Sequence, residues 1–148
     1  MQRAYFWPFR LLIAAIFALA MLTIILSAIN YFHDIQIRTS GERFVDGFEK
    51  AINALTKDKK YGVAEEKNLL LPPGLYTAAQ FAERYHMPVE CIELQSVSGI
   101  IFELSEDGKR LRLNREVNTD VYYQCILENS EECEIRCYIS FNQKPRVD

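Results

Sequence analysis

Charge is missing from the start of this chain. No Asp, Glu, Lys or Arg occurs in the 23 residues from Leu11 to His33, and no acidic residue precedes Asp34. Histidine is scarce, with only His33 and His86, and no cysteine precedes Cys91. Each absence narrows the function. Catalysis needs a nucleophile, a base and an orienting group brought together, and two distant histidines supply little for that. No Gly-x-Gly-x-x-Gly, P-loop, Gly-x-Ser-x-Gly or His-Glu-x-x-His pattern occurs. Zinc is disfavoured, because the only closely spaced cysteines are Cys133-x3-Cys137, with no histidine cluster beside them. No Asn-x-Ser/Thr sequon is present. The residues therefore predict no catalytic group, no metal, no cofactor and no small-molecule substrate.

What fills the uncharged stretch is lipid-soluble. Leu11–Ile29 is built of Leu, Ile, Ala, Met and Phe, interrupted only by Thr23 and Ser27. A helix rises about 1.5 Å per residue, so ~20 such residues cross a ~30 Å hydrocarbon layer. Tyr5, Phe6 and Trp7 precede the stretch and Tyr31 and Phe32 follow it, where amphipathic rings favour the two interfaces. Pro8 suits a first helical turn. The run exceeds the ~7–15 apolar residues of a cleaved signal, so it reads as a retained anchor. Thr23 and Ser27 lie on one face as tolerated hydroxyls. The small residues Ala14, Ala18 and Ser27 are candidates for a helix–helix contact.

Charge and cysteine sort onto one side of this span. All 20 acidic residues and 15 of the 17 basic ones follow it, leaving that part five charges negative. An acidic exterior excludes nucleic-acid binding, which needs a basic stripe. Arg3, Arg10 and the N-terminal amine precede the span, which favours a cytoplasmic N-terminus in a single-pass protein. Cys91, Cys125, Cys133 and Cys137 all follow it. An even set in a small exterior domain reads as two disulfides.

Beyond the span the pattern remains helical. Phe44, Phe48, Ile52 and Leu55 recur at helical spacing with Val45 beside them. One helix from about Trp7 to Leu55 is predicted, with Thr39-Ser40-Gly41 as the place for a bend and Lys57–Lys60 as its charged end. Tyr61–Leu71 predicts a strand or two. Thr77-Ala78-Ala79-Gln80 has the capping-box form and predicts a helix over Ala78–Tyr85, with His86 meeting its terminal carbonyls. Strands are then expected at Cys91–Leu94, at Ile100–Leu104 and Arg110–Leu113 around Asp107-Gly108, and at Val121–Leu127 and Cys133–Phe141. The fold class is α+β: a long N-terminal helix, transmembrane and then amphipathic, packed on one small antiparallel sheet of four or five strands with one short extra helix. The expected segments are 1–10 cytoplasmic, 11–33 transmembrane, 34–56 amphipathic helix and 57–148 exterior domain.

Several residues follow from that layout. Cys133, Ile135, Cys137, Ile139 and Phe141 fall on a dry face; Glu134, Arg136, Tyr138 and Ser140 fall on a wet one. Tyr122 and Tyr138 then pair across neighbouring strands, or mark a subunit contact. Glu65-Glu66 and Glu131-Glu132 read as solvated acidic faces. Cys125–Cys133 closes the hairpin loop and leaves Cys91 for Cys137, the slightly preferred pairing. Cys125–Cys137 with Cys91–Cys133 has the right face parity as well.

A helix that is apolar in its first half and amphipathic in its second, packed on an antiparallel sheet, resembles a type IV pilin. Arg3-Ala4, a basic residue then a small one directly before the apolar segment, resembles the archaeal class III signal, with cleavage between Ala4 and Tyr5. The resemblance implies a membrane-held protein whose partners are the bilayer and other membrane or filament subunits, itself included. The acidic residue such pilins carry at the fifth position after cleavage is replaced here by Phe9. That points to an accessory or minor component of a surface filament or secretion assembly. The alternative is a single-pass accessory subunit of another membrane complex, docking through its exterior sheet.

Overall fold

The computed structural model describes residues 6–58, 60–97 and 99–146; the Ala4–Tyr5 junction lies outside them. The chain divides after Gln36 into two compact units. Helix α1 (Phe6–Asp58) contributes to both. It begins one residue before the predicted start and ends three beyond the predicted end, with no interruption at Thr39-Ser40-Gly41. Pro8 falls among the first four residues, whose N–H groups have no intrahelical acceptor to lose. Up to Gln36 the helix accounts for all of the described residues.

The unit from Ile37 onward is α+β. After the helical segment come β1 (Tyr61–Leu71), β2 (Gly74–Thr77), α2 (Ala78–Tyr85), a 3-10 turn at Val89–Cys91, β3 (Ile92–Ser96), β4 (Phe102–Leu104), β5 (Arg110–Leu113), β6 (Val117–Leu127) and β7 (Ile135–Phe141). The strands make two sheets rather than the one expected. One has four strands in the order β1-β6-β7-β3, the other three in the order β2-β5-β4. All ladders are antiparallel except β3–β7, which is parallel. The α2 helix falls where the capping box predicts it. The Gln80 side-chain oxygen accepts the Thr77 N–H at 3.4 Å, and His86 ends the helix in the left-handed region, its N–H donating to the Ala82 carbonyl.

The core lies between the 40–55 stretch of α1, the inner face of the larger sheet, the smaller sheet and α2. Phe44, Phe48, Ala51 and Leu55 are buried. Phe44 sits 5.3 Å from Phe81 and 5.7 Å from both Tyr76 and Phe141 (ring centroids). Phe48 sits 5.1 Å from Phe81 and 4.9 Å from Tyr85. Such tilted and edge-on contacts add about 0.5–1.5 kcal/mol each beyond area burial. A one-residue bulge in β1 falls between Glu66, opposite Val121, and Leu69, opposite Thr119. Asn68 takes the positive φ of 55° there. The bulge switches the side-chain parity, so Glu66 before it and Leu69 and Leu71 after it are all buried.

The cysteine connectivity corrects the preferred expectation. The disulfides are Cys91–Cys133 and Cys125–Cys137. The β6–β7 register places Cys125 directly opposite Cys137, with Cα atoms 4.1 Å apart. Cys133 lies outside β7, in the turn where the Glu128 N–H meets the Glu134 carbonyl at 3.0 Å. A Cys125–Cys133 bridge would need the register shifted by four residues. Cys133 instead reaches Cys91, just before β3, with Cα atoms 5.6 Å apart.

The expected wet face of β7 is also corrected. Tyr138 is 7% exposed and Ser140 is fully buried. β7 is an inner strand, and the chain after it turns back. The Asn142 N–H bonds the Asp120 carbonyl at 2.8 Å. The Gln95 amide clasps the Arg146 main chain through two 2.8 Å bonds.

Two glycines differ in how closely the fold approaches them. A Cβ on Gly62 would collide with the main chain of Ala51 and Leu55, whereas one on Gly41 would meet nothing within 4 Å. Gly62→Ala should therefore lower unfolding stability by about 3 kcal/mol, the upper range for overpacking, because the obstruction is backbone. Gly41→Ala should raise stability by about 0.5–1 kcal/mol through helix propensity. Denaturant titration of the two variants checks the contrast. Peptide mapping without reductant should recover Cys91 joined to Cys133 and Cys125 joined to Cys137.

Candidate functional site

The unit up to Gln36 presents its apolar side chains outward. Trp7 is 71% exposed, Phe17 66%, Ile24 63% and Phe32 67%. The most apolar 18-residue window of the helix is unburied throughout, and the helix is long and apolar enough to cross a membrane. A helix that is hydrophobic all round is one that sits in lipid or in a large core, and among the described residues of its own unit nothing covers it. Thr23 satisfies its hydroxyl within the helix by donating to the Ala20 carbonyl at 2.8 Å, so its polar group needs no partner outside. Ala14 and Ala18 lie about 40° apart around the axis, but Ser27 lies about 180° from Ala18. The three expected contact residues, all exposed, therefore do not form one seam.

The unit from Ile37 carries a polar cluster where α1 meets β1. Glu66, expected to be solvated, is 6% exposed. It accepts two bonds from Arg43, from Nε at 3.1 Å and Nη2 at 3.0 Å, and a further bond from Lys50 Nζ. Arg43 also donates to the Lys67 carbonyl at 2.9 Å, and the Leu70 N–H donates to Ser40 Oγ at 3.0 Å. Beside them Tyr123, fully buried, donates its hydroxyl to the Phe44 carbonyl. Burial pushes the Glu66 carboxyl upward, but the hydrogen bonds and charges of Lys50 and Arg43 outweigh it and hold it below its ordinary value of 4.5. Burial also holds the Tyr123 phenol far above its ordinary value, so it stays protonated as a donor. The Ser40 hydroxyl and the Lys50 and Arg43 cations are all engaged by β1. The geometry of the cluster fastens a helix to a strand.

The other sequence-derived positions separate. All four cysteines are in disulfides, so none is a thiolate. Tyr122 is half-buried opposite Ser140, and Tyr138 is buried opposite Gln124. The two rings are diagonal neighbours on one face, and Tyr138 cannot serve as the exposed contact expected of it. Among the described residues no group of three or more His, Cys, Asp or Glu side chains could hold a metal ion. Glu66 is the residue that sequence reasoning missed. Its signal is weak: cations at 43 and 50 on the helix face that also carries Gly47, and Asn68 as a residue that tolerates the bulge.

The cluster predicts an acid-sensitive step in stability. A carboxyl whose folded pKa is depressed contributes fully above its unfolded value and loses that contribution as pH falls through the folded one. Glu66 should thus contribute fully to stability above about pH 4.5 and lose that contribution progressively as pH falls further, through its lowered folded value. Glu66→Gln should cost about 1–2 kcal/mol at neutral pH, less than a fully buried pair because Arg43 and Lys50 are partly solvated. It should also flatten the acid limb of a stability–pH curve measured by denaturant midpoint.

No family model, curated protein or solved structure matches the chain.

Proposed function

We propose that this protein is a single-pass, membrane-anchored interaction protein of pilin-like layout, without catalytic activity. In this reading the N-terminus is cytoplasmic and the disulfide-bonded sheet domain lies outside. The observation that carries it is the unburied apolar stretch of α1, joined in one chain to an acidic domain whose four cysteines are all crosslinked. Water would penalise the first feature and a reducing cytosol the second. A bilayer with an oxidising exterior suits both.

An accessory or minor component is favoured over a principal filament subunit. Packing of many identical apolar helices needs each polar group matched, and Arg10, exposed in the helix near its start, has no acidic residue before Asp34 to meet it. The work of such a component is mechanical. The helix retains the domain at the membrane, and the domain's surface recruits subunits.

Membrane fractions of expressing cells test this reading. The intact protein should stay in the pellet through alkaline carbonate and leave it only with detergent. A thiol-reactive polyethylene glycol should add nothing to the denatured protein before reduction and four groups after it. A membrane-impermeant protease applied to right-side-out cells should remove the domain. Release by carbonate, or four free thiols without reductant, would overturn the proposal.

A further inference from the structure

Two strand edges border one groove in the unit from Ile37. β3 is an outer strand of the larger sheet and β4 an outer strand of the smaller. The Leu94 N–H donates to the Gly108 carbonyl at 2.8 Å, and the Ile92 carbonyl accepts from Lys109 Nζ at 2.6 Å. The even-numbered residues of β3 therefore aim their main-chain groups outward, away from β7. The β4–β5 turn covers the first half of that edge and goes no further. Past it, the Leu94 carbonyl and the Ser96 N–H and carbonyl face the same way, and among the described residues no protein group meets them. Across from them Leu104 also points its main-chain groups off a free edge, since the adjacent Ser105 N–H donates inward to the Arg110 carbonyl at 2.8 Å.

These edges line an open groove of about 650 Å³. Its ionisable side chains are Glu93, Glu106 and Asp107 against the single Arg146. Asp107 is already engaged by the Ser105 hydroxyl and, at 3.1 Å, by the Lys109 N–H. Glu93 faces Lys109 and Arg136 and accepts from the Gln95 amide at 3.5 Å, which leaves Glu106 to meet positive charge. The carboxylates repel an anion and do not converge into a metal-binding group. Main-chain donors and acceptors repeating along a strand recognise another extended chain.

We propose that this groove receives an extended, lysine- or arginine-bearing segment of a partner protein, which adds as a strand to β3 at Leu94 and Ser96 and sets a cation against Glu106. The site goes beyond the anchoring role and does not depend on it.

Full-length, 15N-labelled protein in detergent micelles, titrated with acetyl-Lys-Val-Lys-Val-Lys-amide, tests the site by amide shifts and hydrogen exchange. The peptide should shift the Leu94–Val97 amides and slow exchange at Ser96. The same peptide N-methylated at every residue, which cannot form a ladder, should have no effect, and acetyl-Glu-Val-Glu-Val-Glu-amide should bind at least several-fold more weakly. Glu106→Gln should weaken the basic peptide about twofold, the scale of one exposed ion pair, with the remaining spectrum unchanged. Equal binding by the N-methylated or the acidic peptide, or no response at Leu94–Val97 at millimolar peptide, would overturn the proposal.

Discussion

The contact on which the domain depends is the bare main chain of Gly62 pressed against the main chain of α1 at Ala51 and Leu55. Because no side chain separates helix from strand there, the helix lies low on the larger sheet. Phe44 and Phe48 then reach the rings of Tyr76, Phe81, Tyr85 and Phe141, and the Tyr123 hydroxyl reaches the Phe44 carbonyl. The same closeness seals Glu66 from water and obliges it to find cations. Arg43 and Lys50 supply them from one face of the helix. Helix and sheet in this unit thus meet through two missing side chains, at Gly62 and at Gly47, where a Cβ would strike the Tyr123 ring and the Glu66 side chain.

Local signals in the sequence proved legible where one short-range rule decides the outcome. Phe44, Phe48 and Leu55 are buried at helical spacing. The capping box and Pro88 bound α2, and Asp107-Gly108 turns β4 into β5. Features set by distant partners were not legible. The parallel placement of β3 beside β7 joins segments more than forty residues apart, and no local pattern encodes it. β2 is four residues long and exists because β5 offers it an edge. The β1 bulge reverses parity midway, so alternation read straight through Tyr61–Leu71 puts Glu66 and Leu69 on opposite faces. Tyr138 and Ser140 alternate like solvent-facing residues, but β7 is an inner strand whose outer side the returning tail helps to close.

The candidate site divides in the same way. The apolar character of the first helix could be read directly, because lipid solubility is a property of composition and length. Which small residues share a face of that helix needed only its angular repeat, and that repeat separates Ser27 from Ala14 and Ala18. The polar groove beside β3 had no signature at all. Glu93 and Glu106 are ordinary charged residues in sequence, and the fold brings them to one wall-lined space through a strand edge and a turn. A docking surface built from main-chain groups leaves little trace in side-chain identity.

The order of strands in the larger sheet carries a consequence for biogenesis. Its two inner members, β6 and β7, are the last two made, while its borders, β1 and β3, are made much earlier. Both crosslinks also await residues at 133 and 137. A polypeptide halted before that point has borders with no middle and thiols with no mates. Maturation therefore waits until β7 has been made, and until then Phe44 and Phe48 must be shielded by something other than their own sheet.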